Sequence, residues 1–75
     1  SPGYIVGEVR PYAVILAHNH PSGKPGPAAA DDASVRRIAA ACKDYGAHLS
    51  DSLIYAAGEV YSYYRADRLR ALGID

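Results

Sequence analysis

Ala13-Val14-Ile15-Leu16-Ala17-His18-Asn19-His20-Pro21-Ser22-Gly23 is the stretch on which both the fold and the chemistry of this chain turn. Its first five residues are continuous, apolar and rich in branched side chains, the pattern of a buried strand. If the extended backbone persists through the histidines, residues i and i+2 share one face, with Cα atoms about 6.5–7 Å apart. Two imidazoles at that separation can converge on one ion through bonds of about 2.0–2.1 Å. Pro21 then ends the strand, Ser22-Gly23-Lys24-Pro25-Gly26-Pro27 forms a stiff turning loop, and that loop can return Asp31 over the histidines. A His-x-His pair is also common as a structural or solvent-exposed pair. Metal ligation becomes its rival because this pair sits where a buried strand meets a loop, with a carboxylate following.

The pattern downstream predicts a helix over Asp31 to Tyr45. Asp31 or Asp32 stands in its first turn, where a carboxylate meets unpaired N–H groups and the positive end of the helix dipole. Capping is therefore a second reading of Asp31, and Asp32 is the better purely structural residue. Val35, Ile38, Cys42 and Tyr45 recur as a core stripe, Ala39, Ala40 and Ala41 allow close approach to a sheet, and Gly46 ends the helix from the C′ position. Ala47 to Leu49 and Leu53 to Ala57 read as two short strands, Gly58-Glu59 as a turn, and Val60 to Tyr64 as a last strand. Arg65 to Leu72 is a short amphipathic helix with Leu69 and Leu72 inward and Arg65, Arg68 and Arg70 outside. With Tyr4 to Val9 as a first strand, the expected class is α/β (α+β-like), a small mixed sheet covered by one central helix. His48 alternates with Ala47 and Leu49 and is expected at the surface or rim.

The run His18-Asn19-His20-Pro21-Ser22-Gly23-Lys24-Pro25-Gly26-Pro27, with Asp31 after it, resembles the signature of the RadC-type branch of the JAB/MPN (JAMM) metalloprotease-like family. Gly46 to Asp51 ahead of the apolar run Leu53 to Ala57, and Ser62 within Val60 to Tyr63, follow the family's later order, so the resemblance extends from Ala13 to about Arg70. It implies a zinc ion held by His18, His20 and Asp31 with water at the fourth position. Three protein ligands and one open place distinguish a catalytic zinc from a structural one, and the ion brings the pKa of that water toward ~7. The implied substrate bond is an amide or isopeptide of a peptide or protein, with an upstream glutamate moving the proton. Ser22 and Asp51 would support the loop or stand behind a ligand histidine.

The chain departs from that family pattern in four places. Ala28 stands where the family carries a serine that donates to the developing oxyanion. The glutamate falls before the start of this sequence, Ser52 rather than a histidine follows Asp51, and Tyr4 to Val9 runs into Pro11-Tyr12 with no room for an intervening helix. Glu8, the only carboxylate upstream of the histidines, suits a solvated strand face better than the role of base. The expectation is a single domain over residues 1–75, N-terminally incomplete and cut or processed ahead of Ser1, completed by a missing segment or a partner chain. Its reading is a metallopeptidase-like domain impaired in isolation, with a catalytically silent metal-binding interaction module as the alternative.

Composition narrows the remaining classes. Lys plus Arg is 8 and Asp plus Glu is 8, so no electrostatic footprint favours direct nucleic-acid binding or a DNA-repair accessory role. The chain has seven tyrosines and neither Phe, Trp nor Met, and each tyrosine needs a hydrogen-bond partner if buried. The single Cys42 allows no internal disulfide and fits packing in a reducing compartment. With no apolar run long enough for a membrane span, the expected location is cytoplasmic.

Overall fold

The computed structural model describes residues 4–10, 12–24 and 26–74, arranged as β1 (Tyr4–Arg10), β2 (Ala13–Asn19), α1 (Ala29–Asp44), β3 (His48–Ala56), β4 (Glu59–Ser62) and α2 (Arg68–Ala71). The strands form one mixed sheet in the order β1-β2-β3-β4. β1 and β2 are antiparallel neighbours, β2 and β3 are parallel, and β3 and β4 are antiparallel. α1 supplies the long connection that a parallel pair requires. The extended conformation does persist: β2 carries His18 within the sheet, and the His20 N–H donates to the Tyr55 carbonyl at 2.8 Å just beyond it.

Leu16, Val35, Leu49, Ile54, Tyr63 and Leu69 form the buried core, with Ile38, Ala39, Tyr61, Leu72 and Ile74 packed against it. Each fully buried aliphatic side chain contributes about 1.5–3 kcal/mol through removal from water. Ile5, Tyr55 and Val60 are exposed. No helix among the described residues is long and apolar enough to cross a membrane.

The helix begins two residues earlier than expected, because Ala28 is extended (φ −96°, ψ 171°) and acts as the N-cap. At the other end Gly46 adopts φ +74°, its N–H donates to Lys43 O at 3.0 Å, and the Ala47 N–H donates to Cys42 O at 2.8 Å. That pair of bonds is a Schellman closure. It also corrects the expected core stripe: Val35 is buried and Cys42 partly so, but Tyr45 is 90% exposed. As the C-cap, Tyr45 sits where the chain leaves the helix axis.

Three further expectations change. The two short strands either side of Ser50-Asp51 are one strand, β3. Val14 pairs with Leu49 but Ile15 pairs with Asp51, so Ser50 is an extra residue, a bulge. Its effect is to switch parity, so that Leu49 and then Ser52, Ile54 and Ala56 are all buried. The hairpin turn is Ala57-Gly58 rather than Gly58-Glu59, since Glu59 already pairs with Ala56. Both turn residues have positive φ, 52° and 77°, as a two-residue type I′ turn demands. β4 then ends at Ser62 and α2 is confined to Arg68–Ala71, leaving Tyr63 to turn inward instead of continuing the strand.

Candidate metal centre

The site lies where β2 gives way to the loop. His18 and His20 project from the same side, their rings 4.8 Å apart and nearly perpendicular. The first turn of α1 brings Asp31 across them, with Oδ1 3.0 Å from His18 Nδ1 and Oδ2 3.0 Å from His20 Nε2. His18 and Asp31 are buried. The ligand atoms of the three residues all lie within 4.8 Å of one another, and the described residues form no other such group of three. In a tetrahedron with bonds of about 2.0–2.1 Å, ligand atoms are roughly 3.4 Å apart. The two histidine–aspartate separations of 3.0 Å are close to this, and the widest separation, within 4.8 Å, would have to close to hold an ion. Two imidazoles and one carboxylate are also the donor chemistry of a borderline divalent metal.

Backbone groups orient this set. His20 Nδ1 donates to the Lys24 carbonyl at 3.0 Å, which turns Nε2 toward Asp31, the outer bond that ligand histidines characteristically make. The Ala28 N–H donates to Asp31 Oδ2 at 2.8 Å. Asp31 therefore fulfils both sequence readings at once, capping the helix start and facing the histidines. The Lys24 carbonyl and then the Asp31 carboxylate hold the His20 imidazolium above its ordinary pKa. Burial pushes the Asp31 carboxyl up, but the Ala28 N–H and the two imidazoles outweigh it, and the net shift is downward.

The other residues singled out in the sequence fall outside this triad. Ser22 is exposed on the turn, and none of the hydrogen bonds just described comes from it. Asp51 fixes the chain after β4: its carboxylate accepts the Ser52 N–H at 2.7 Å, the Ser62 hydroxyl at 2.6 Å and the Tyr64 N–H at 2.9 Å. Ser62 Oγ in turn accepts the Arg65 N–H at 3.1 Å. His48 is exposed. Glu8 lies opposite Val14 in the β1–β2 register, whereas Tyr4 lies opposite His18; the Glu8 side chain is outside the described residues, as are Ser1 and Pro25.

One cluster went unread in the sequence. Asp32 does not cap the helix: Oδ1 accepts the Tyr63 hydroxyl and Arg68 Nε, each at 2.9 Å, and Oδ2 accepts Arg68 Nη2 at 2.5 Å. Arg68, expected to stay outside, is thereby tied down. The guanidinium holds the Asp32 carboxyl below its ordinary pKa, while burial and then Asp32 raise that of Tyr63. The available signal was the rule that a buried tyrosine seeks a partner, but Tyr63 read as a strand residue.

Comparison with known proteins places this geometry. The RadC-like JAB domain family matches residues 8–69. The chain is similar to a UPF0758 protein of Methanospirillum hungatei, 44% identical over 85% of this chain and 26% of the relative. Another, from Carboxydothermus hydrogenoformans, is 40% identical over 92% of this chain and 31% of the relative. A third, from Lactococcus lactis subsp. cremoris, is 39% identical over 72% and 24% respectively. The chain thus spans roughly a quarter to a third of the length of these relatives. With a match over most of its length and a His-x-His strand end facing an aspartate, the chain belongs to the RadC-like JAB domain family.

Proposed function

We propose that this chain carries the metal-holding part of a zinc-dependent metallopeptidase-like hydrolase, acting on an amide or isopeptide bond of a peptide or protein in the cytoplasm. The observation that carries the reading is the convergence of His18, His20 and Asp31, with ligand atoms within 4.8 Å. These three residues would hold zinc and leave it a place open to a non-protein ligand. When bound, the ion supplies a Lewis acid that polarises a carbonyl and lowers the pKa of a water. His20 offers Nε2 because the Lys24 carbonyl engages its other nitrogen. His18 offers Nδ1 from a buried position backed by the core. Asp31 remains ionised because the Ala28 N–H and both imidazoles favour its charged form.

Two pieces of the reaction must come from elsewhere. Among the described residues no glutamate joins the triad, and this reading assigns the proton-moving base to a further segment or a partner chain. Ala28, at the helix N-cap, offers a methyl where the family's serine would donate. A missing proton shuttle typically costs about 10²–10⁴ in rate and a missing oxyanion donor about 10²–10³. The zinc-loaded chain by itself should therefore hydrolyse poorly or not at all. Ala28 also favours a second reading, a catalytically silent metal-binding module that recognises a protein partner.

Calorimetric zinc titration tests the site. One ion per chain is expected, with sharp loss of affinity in His18→Ala, His20→Ala and Asp31→Asn and none in His48→Ala. Equal losses from His20→Ala and His48→Ala would overturn the assignment. Turnover of fluorogenic peptide and isopeptide substrates, measured with and without an added glutamate-bearing segment, separates the two readings. Robust turnover by the chain alone, abolished by Glu8→Gln, would instead make Glu8 the base.

A further inference from the structure

Asp31 and Asp32 are neighbours in the first turn of α1, about 100° apart around the axis at 3.6 residues per turn, and they face different parts of the fold. Asp31 meets the end of β2, while Asp32 meets Tyr63 and Arg68 beyond β4. The partners of Asp32 are themselves fixed. Tyr63 is fully buried, its N–H donates to Ser52 O of β3 at 2.9 Å, and its carbonyl accepts the Arg68 N–H at 2.8 Å. The two-point Arg68 pair and the Tyr63 hydroxyl thus tie the start of the helix to the sheet. Farther along, α1 is held by the apolar contacts of Val35, Ile38 and Ala39, which are non-directional. The N-cap, Ala28, adds no side-chain bond of its own.

We propose that Asp32 is a positioning residue for the metal centre: bound to Tyr63 and Arg68, it fixes the rotation of the first turn of α1 and so sets where the Asp31 carboxylate meets His18 and His20. The lever is short but sensitive. With Cα atoms ~2.3 Å from the axis, a carboxylate oxygen at ~5 Å moves about 0.9 Å when the helix turns by 10°. Plausible metal–ligand distances tolerate only about ±0.2 Å. A rotation of about 10° therefore moves the carboxylate by several times that tolerance. This inference rests on the metal-binding reading above.

Cobalt(II), whose visible absorption reports its coordination, is titrated into the wild-type chain, Asp32→Asn, Arg68→Ala and Tyr63→Phe, and each is also melted in chelator. Asp32→Asn and Arg68→Ala should bind cobalt about tenfold more weakly and, at saturation, show a changed visible spectrum. Tyr63→Phe keeps the Arg68 pair and should lie between them and the wild type. Lower melting temperatures with wild-type affinity and spectrum would overturn the proposal, leaving the cluster a stabiliser only. If Asp32→Asn and Arg68→Ala do not fold, Tyr63→Phe decides alone, and an unchanged spectrum and affinity there overturn it. Failure of the wild-type chain to bind cobalt would remove the metal site itself, whereas wild-type binding with indifferent variants removes only the role of Asp32.

Discussion

His20 Nε2 lies 3.0 Å from Asp31 Oδ2, the same oxygen that accepts the Ala28 N–H at 2.8 Å. Since His20 Nδ1 already donates to Lys24 O, a proton on Nε2 makes the metal-free pair an imidazolium–carboxylate bond. A metal ion bound there must displace that proton. The raised pKa of His20 gives the two states opposite pH dependences. In the metal-free chain the stabilisation is fully present below the ordinary value of 6.5 and is lost as pH rises through the higher folded value. In the zinc-loaded chain, affinity and hence stability grow over the same interval as the competing proton leaves. Melting temperatures across about pH 6 to 8 should therefore fall in chelator and rise with saturating zinc. Parallel curves would show that His20 is not a ligand.

Ala28 has the extended dihedrals of an N-cap but no side-chain acceptor, while Asp31 already accepts the reciprocal bond from its N–H. The hydroxyl introduced by Ala28→Ser would complete a capping box. A gain of about 0.5–2 kcal/mol in stability to urea is expected, together with little gain in hydrolysis, because the base is still missing. A large rate gain from this substitution alone would place the base within the present chain.

Asp51 accepts from Ser52, Ser62 and Tyr64, and Asp51→Ala leaves those donors without their acceptor. A loss of about 1–3 kcal/mol is expected, measured by urea denaturation. Zinc affinity of the folded fraction should stay within threefold of wild type, as roughly expected for a residue outside the ligands and their direct partners. A tenfold fall in affinity would assign Asp51 to the support of a ligand histidine instead of the loop.

Ala57 holds φ +52° ahead of Gly58 at +77°. A left-handed conformation costs a non-glycine residue roughly 1–2 kcal/mol, and asparagine bears it more easily. Ala57→Asn should accordingly stabilise the chain by about 0.5–1 kcal/mol, seen as a higher urea midpoint with an unchanged slope. Destabilisation would mean that the methyl of Ala57 packs more usefully than the turn geometry suggests.

The legible parts of this structure were those governed by short-range rules. His18 and His20 could be placed by strand alternation, Gly46 by the demands of a helix end, and Asp31 by its distance from the histidines along a turning loop. What escaped depends on contacts distant in sequence or made by the backbone. The Lys24 carbonyl that orients His20 has no side-chain signature, and Arg68 reaches Asp32 across 36 residues of chain. Arg68 looked like any solvated arginine on a short amphipathic helix because nothing local marks its partner. Tyr45 was misplaced for the opposite reason: periodicity was carried one residue past the last helical turn.

The buried positions of β3 change from odd to even at Ser50-Asp51, a change that an uninterrupted strand cannot make. The bulge reconciles the two phases, placing Leu49 and Ile54 in the same core. Ser50 therefore acts on the strand through its presence in the count more than through its side chain. A substitution there changes one local contact, but removing the residue would slip the frame and force either Leu49 or the Ser52-Ile54-Ala56 series to the wrong face. Length in this short segment is held more tightly than identity.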